Sequence, residues 1–297
     1  MELSLGPVLF EWKREELLRF YDEVREMDVG RVYIGEVVCS RKIGLDADTV
    51  SEIAGRLHGA GKKVVLSSLA VISNEEELDF TRRLLALPYA AEANDISVLN
   101  IADPAERDIC AGPHITTYNA PSIEFLKGAG VRHVTFPVEL SRDSIEYNIR
   151  NTGIEGEVFV HGKVPLAFSW RCYTSRAYGL TKTECRHHCA GYPDGMELKT
   201  LEREPVFTVN GTSLLSAGTY TLIESVKDLE EIGVKTLRIS PRHKGTAKIV
   251  EIFRKTAAGT FGPEEGLAGL KALEDGPFCN GWYFGGAGKD YLTPKGV

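Results

Sequence analysis

Short apolar runs alternate along the chain with stretches whose apolar positions fall three and four apart, a rhythm that predicts strand and helix pairs. The first pair is a strand at 3–10 and a helix opening at 13–21. A second strand at 31–38 is followed by a helix over 46–62, with Asp46 or Asp48 as its cap and Gly59 and Gly61 near its end. The third strand, 64–70, leads into a helix entered at 73–77, where Ser73 and Glu76 have capping-box spacing. Further pairs are expected at 96–101 with 104–109, at 114–118 with 121–127, and at 132–138 with 141–150. The seventh strand contains 158–160, and the eighth, 236–240, is followed by a helix over 245–257. Between those two strands the rhythm breaks. A polar segment with three cysteines stands where a helix is due, then a hairpin arm at 206–211 and a helix over 222–232.

Eight strands alternating with helices over roughly 260 residues match a (β/α)8 barrel better than a doubly wound sheet. The expected architecture is α/β: one TIM-barrel-like domain over 1–297, with a cysteine-rich insertion at 169–205 after the seventh strand. A chain of 297 residues that is 43% hydrophobic can bury such a core. No apolar run approaches about 18 residues and the first residues lack a signal-peptide layout, so a cytoplasmic protein without a membrane span is expected. The net charge of -7 weighs against capture of nucleic acid by overall charge, and no nucleic-acid partner is expected on that ground.

The cysteines change the picture most. Six without secretory features argue for free thiols or a metal site and against a disulfide framework. Cys172, Cys185 and Cys189 follow the seventh strand and Cys39 follows the second, so in a parallel barrel all four fall on the face where functional residues collect. Thiolates in such a pocket suit zinc or iron and sulfur, and not magnesium or calcium. Cys185 and Cys189 alone have zinc-like spacing, but no second close pair accompanies them, whereas an iron–sulfur cluster tolerates a remote ligand. Cys39, Cys172, Cys185 and Cys189 are therefore the candidate ligands of a [4Fe-4S] cluster. The bland alternative, four unrelated buried thiols, fits poorly with a segment as polar as 181–188. Cys110 and Cys279 are solitary and expected to be structural.

Arg171 and Arg176 flank Cys172 and suit an anionic cluster or a carboxylate, against a reading as solvated surface charge. His187 and His188 are expected near the site but not as ligands. Ser67, Ser68, Tyr118 and Asn119 would face the same mouth, with loop-satisfying roles as the plainer reading. The Gly285-Gly286-Ala287-Gly288 run lacks the strand-to-helix context of a phosphate cradle. No nucleophile elbow or two-histidine zinc-protease helix is present, and no catalytic residue is assigned.

Taken together, Arg171-Cys172-Tyr173-Thr174-Ser175-Arg176, the Cys185 to Cys189 pair, Tyr192-Pro193-Asp194-Gly195, Val209-Asn210-Gly211 and Cys279-Asn280-Gly281-Trp282 resemble the UbiV proteins of ubiquinone biosynthesis, within the collagenase-like peptidase superfamily. The resemblance implies one [4Fe-4S] cluster on Cys39, Cys172, Cys185 and Cys189, and a heterodimer with a UbiU-like partner. It also implies oxygen-independent hydroxylation of a ubiquinone precursor by the pair, this chain being a subunit of the hydroxylase complex. Relatives in the same superfamily modify RNA or are called peptidases, without the early cysteine. Cys39 favours the quinone reading, the negative charge weighs against RNA, and the missing nucleophile weighs against a peptidase.

Overall fold

Strand alternation sorts side chains between two environments. In β1 (Glu2–Leu5) Leu3 and Leu5 join the outer apolar core, while the Ser4 hydroxyl donates to the buried Glu157 carboxylate at 2.6 Å. The computed structural model describes residues 1–42, 44–274 and 276–293. After β1 come α1 (Arg14–Val24), β2 (Arg31–Gly35), α2 (Ala47–Gly59), β3 (Lys63–Ser67) and α3 (Glu75–Leu85). They are followed by β4 (Ala90–Ala93), α4 (Val98–Ile101), β5 (Ile109–Ala111), α5 (Ala120–Gly128), β6 (Val131–Thr135), α6 (Arg142–Thr152) and β7 (Glu155–Gly162). The chain then builds β8 (Pro165–Phe168), α7 (Tyr173–Ala177), β9 (Met196–Lys199), β10 (Pro205–Asn210) and β11 (Ser213–Ser216). Last come β12 (Thr219–Thr221), α8 (Val226–Glu231), β13 (Thr236–Ile239), α9 (Thr246–Ala257), α10 (Pro263–Lys271) and β14 (Phe278–Cys279).

Strands β1 to β7 pair in sequence order, all parallel, and β13 pairs in parallel with both β7 and β1. Eight parallel strands with helices between them thus close a (β/α)8 barrel, as the sequence rhythm predicts. Between β7 and β12, strands β8 to β11 form a separate antiparallel sheet in the order β8-β11-β10-β9, and the three clustered cysteines lie in the connection from β8 to β9.

Outward residues such as Val32, Ile34, Val64 and Leu66 pack with Leu17, Val24, Ile53 and Leu57 of the helices. The barrel interior is mostly ionic. Arg238 donates to Glu157 at 2.5 Å, to Glu92 at 2.6 Å and to Thr135 at 2.7 Å, with its guanidinium 3.8 Å over the Tyr33 ring. Below them Arg31 and His133 close on Glu155 and Glu157. Burial opposes the Glu157 charge, but Arg238 and His133 outweigh it and hold the carboxyl well below its usual range. Cys110 fills a small apolar cluster inside the barrel with Tyr33 and Val65.

Two expected elements move. The segment expected as the fourth strand, 96–101, contains the short helix α4, and the strand is Ala90–Ala93, whose alanines and glutamate hide the usual apolar signal. Glu92 faces inward to Arg238, so tertiary pairing sets this strand where propensity does not. The fifth strand is Ile109–Ala111, which replaces the expected helix end at 104–109 and leaves 114–118 as the loop beyond it. At the entry of α3 the cap is displaced by one residue: Asn74 accepts from Glu77 N–H at 3.0 Å and the Glu77 carboxylate accepts from Ser73 N–H at 2.9 Å.

Candidate metal centre

Glu36, 2% exposed, shapes the loop after β2. One oxygen of its carboxylate accepts the N–H of Val38 at 2.7 Å, the N–H of Cys39 at 3.0 Å and the Lys42 ammonium at 2.9 Å. The loop therefore presents Cys39 half-buried between a carboxylate and an ammonium. Burial pushes the Cys39 thiol up, and the Arg41 N–H directed at its sulfur opposes that shift.

The three later thiols are placed by turns. Cys172 caps α7, its Sγ accepting the Ser175 N–H at 3.3 Å, and the Cys185 Sγ accepts the His187 N–H at 3.4 Å. His187 adopts a left-handed φ of 54°, which turns the chain into the short 3-10 segment His188–Gly191 that carries Cys189. Burial pushes the Cys189 thiol up to about 12, with Glu11, Cys185 and Cys172 adding to the rise and Lys42 opposing it. Lys42 thus acts on both Cys39 and Cys189.

One turn ties the two halves together. At Gly211–Thr212, between β10 and β11, the Thr212 hydroxyl donates to the Val38 carbonyl at 2.8 Å. The Gly211 carbonyl accepts the Tyr173 N–H at 2.7 Å, and the Gly211 N–H donates to Thr174 Oγ1 at 3.1 Å. Gly211 has φ of 60°, a left-handed conformation that favours glycine at this crossing point. The neighbours of Cys39 and of Cys172 are therefore anchored on consecutive residues. Trp12 adds a second tie, its indole N–H donating to the Pro193 carbonyl at 2.7 Å.

Cys39, Cys172, Cys185 and Cys189 are all half-buried, whereas Cys110 and Cys279 are buried, where burial raises their thiols to about 12 and about 11. Among the described residues no three His, Cys, Asp or Glu side chains gather as a single metal ion requires. Four half-buried cysteines, one in the loop after β2 and three between β8 and β9, are by their chemistry a donor set that could hold an iron–sulfur cluster, each iron taking one thiolate.

The other candidates separate clearly. Arg171 and Arg176 are exposed and line a cavity of about 630 Å³ that also holds Cys172. His188 stacks on Tyr178 at 3.9 Å, and Tyr178 shares a 2.6 Å hydrogen bond with Tyr192. Ser67 turns into the barrel to Glu92, Ser68 donates to the Leu69 carbonyl and accepts the Asn94 N–H, and Asn119 caps α5. Tyr118 lines a cavity of about 250 Å³ beyond β5 and β6. Gly288 lies against the Trp282 ring, a packing role. Sequence reading missed a second polar group near the barrel mouth. There His161 Nε2 lies 3.5 Å from a Glu274 oxygen that also meets Arg242 at 2.5 Å. These residues are far apart in the chain and carry no shared motif, so only the fold brings them together.

A family model for peptidase family U32 matches residues 21–291. The chain belongs to peptidase family U32. Among similar U32-type proteins, tRNA hydroxylation protein P1 of Bacillus subtilis (strain 168) is 26% identical over 250 residues, covering 75% of this chain and 57% of that protein. The 23S rRNA 5-hydroxycytidine C2501 synthase of Escherichia coli (strain K12) is 24% identical over 148 residues, covering 47% of this chain and 22% of that one. The chain thus spans less than two thirds of either relative. A thiamine phosphate pyrophosphorylase from Pyrococcus furiosus shares 10% identity at a TM-score of 0.46, covering 88% of this chain and 97% of that one.

The expectation of no nucleic-acid partner is overturned, because both relatives are named for work on tRNA or rRNA. Net charge is a poor guide here, since surface charges are screened beyond about 8 Å at physiological salt and local patches decide binding. Among the described residues no helix is long and apolar enough to cross a membrane.

Proposed function

We propose that this chain is a U32-family hydroxylation protein that acts on RNA and holds a [4Fe-4S] cluster on Cys39, Cys172, Cys185 and Cys189. The supporting observation is the tie at Gly211–Thr212, which anchors the loop of Cys39 against the segment of the other three thiols at the barrel end where β-strand loops converge. The names of the two relatives support RNA as substrate. A bound cluster would supply one-electron chemistry. The protein's own part is to seat it: backbone N–H groups of Ser175 and His187 point at two sulfurs, and Lys42 offsets the charge of the thiolates at Cys39 and Cys189.

A second reading, hydroxylation of a ubiquinone precursor ring, is favoured by one observation, the early thiol Cys39 in its built loop. One experiment addresses both readings. Protein purified without oxygen is assayed for iron and sulfide, and a deletion strain is assayed for hydroxylated nucleosides in tRNA and rRNA and for quinone. Four irons and four sulfides per chain with loss of a hydroxynucleoside is the expected result. Zinc without sulfide defeats the cluster, and quinone loss with unchanged RNA moves the assignment to the second reading.

A further inference from the structure

The arginines of this protein fall into two populations. Arg31, Arg56, Arg142, Arg238, Arg242 and Arg254 are each held by carboxylates. Seven others lack any ion pair or side-chain hydrogen bond among the described residues: Arg83, Arg132, Arg186 and Arg203, each placed outside the cavity at Cys172, and the three that line it, Arg41, Arg171 and Arg176. These three come from separate places, the loop after β2 and either end of the Cys172 turn, yet line the same cavity of about 630 Å³. In a chain of net charge -7, carboxylates enough to pair them exist elsewhere on the surface. What sets these three apart is that the fold gathers them, unpaired, on one cavity.

Lys182 brings the cationic side chains of the cavity to four, against the carboxylates of Glu76 and Glu77. Glu77 is already engaged, accepting from Lys182 at 2.9 Å and from Ser73, so the open charge of the groove is positive. Trp170 stands on the same wall, 69% exposed, beside Arg171 and two residues from Cys172. The exposed indole offers a flat face on which a base can stack. Unpaired guanidiniums that can fork onto phosphate, around an exposed aromatic plane, are the chemistry that holds an unpaired nucleic-acid strand: charge follows the backbone and the ring takes a base.

We propose that this groove binds single-stranded RNA, with Arg41, Arg171 and Arg176 on phosphates and Trp170 stacked on a base next to the one presented at Cys172. The inference rests on the RNA reading of the function and names the surface that serves it. A protein partner is disfavoured because four cationic side chains line the groove, whereas the centre of a stable protein interface is depleted of charge.

The test is fluorescence anisotropy with a short single-stranded RNA across a salt series, on the full chain, with Arg171→Gln/Arg176→Gln and Trp170→Ala as variants. All three side chains are exposed, so thermal unfolding is expected to match wild type and a binding loss is not a folding loss. The double variant should lose about 0.7 from the slope of log K against log salt for each phosphate contact removed. Trp170→Ala should weaken binding by about tenfold with the salt slope kept, since stacking is not an ionic contact. Variants that bind like wild type, or a wild-type chain that binds no RNA at low salt, overturn the groove. The hydroxynucleoside content of the deletion strain is measured independently, so it shows whether the hydroxylation reading falls too.

Discussion

Replacing Thr212 by Val tests whether the turn between β10 and β11 is what holds the Cys39 loop against the Cys172 segment. Thr212 is 4% exposed and Val38, whose carbonyl it meets at 2.8 Å, is 7% exposed. Valine keeps the shape and removes the donor, so the Val38 carbonyl is left buried without this partner. Stripping a buried acceptor costs about 1–3 kcal/mol, and the mouth of the barrel, where water can reach a displaced loop, places the cost at the lower end of that range. The iron-free variant is therefore expected to lose about 1–2 kcal/mol in urea unfolding, with an unchanged dependence on denaturant. Iron per chain after oxygen-free purification should also fall, although no thiol is touched. Thr212→Ser keeps the hydroxyl and should retain both stability and iron. A Thr212→Val protein within about 0.5 kcal/mol of wild type, or one with full iron, would refute the clamp.

Arg238→Met leaves the buried carboxylates of Glu92 and Glu157 without their shared guanidinium, and breaking such a pair costs about 3–5 kcal/mol. Adding Glu92→Gln should recover part of that loss in thermal unfolding, and no recovery would mean the network is not acting through charge. At the barrel floor, Glu155 is held down to about 2, first by its hydrogen bond from His133, and Glu157 lies well below its usual value. Their stabilisation is present above about 4.5 and lost as pH falls toward 2. His133 is shifted the other way: burial lowers it, but Glu155 and Glu157 raise it further, so its contribution is present below about 6.5 and lost as pH rises through the folded value. The unfolding midpoint should peak between those limits for this network, and His133→Gln should flatten the alkaline side and weaken the acid dependence too, because His133 helps hold Glu155 and Glu157 down. Cys110→Ser and Cys279→Ser should each lower stability by about 1–3 kcal/mol, because a hydroxyl is buried where a thiol was, while iron content stays at the wild-type value. Iron loss matching that of Cys172→Ser would give either thiol a ligand role.

The alternation of apolar runs with helical spacing was enough to specify a barrel, because each of α1, α2, α3, α5, α6 and α9 is amphipathic and most barrel strands bury an outer apolar row. The cap of α2 was legible as Asp46 or Asp48, since a capping side chain and the N–H it serves are three residues apart, and the structure places it at Asp46. The expectation that Cys39 shares one end of the barrel with the later cysteines rests on topology, as parallel strands deliver their following loops to one end. Strands β4 and β5 were hidden: Ala90–Ala93 gains its place from Glu92 meeting Arg238, 146 residues away, and no local pattern reports such a pair. The ionic barrel interior, the His161–Glu274–Arg242 group and the Gly211–Thr212 tie likewise exist only once the chain has closed. What the linear order records is which faces seek water and which avoid it. Which charges meet, and which arginines are left open beside Cys172, depends on distances that only the folded chain sets.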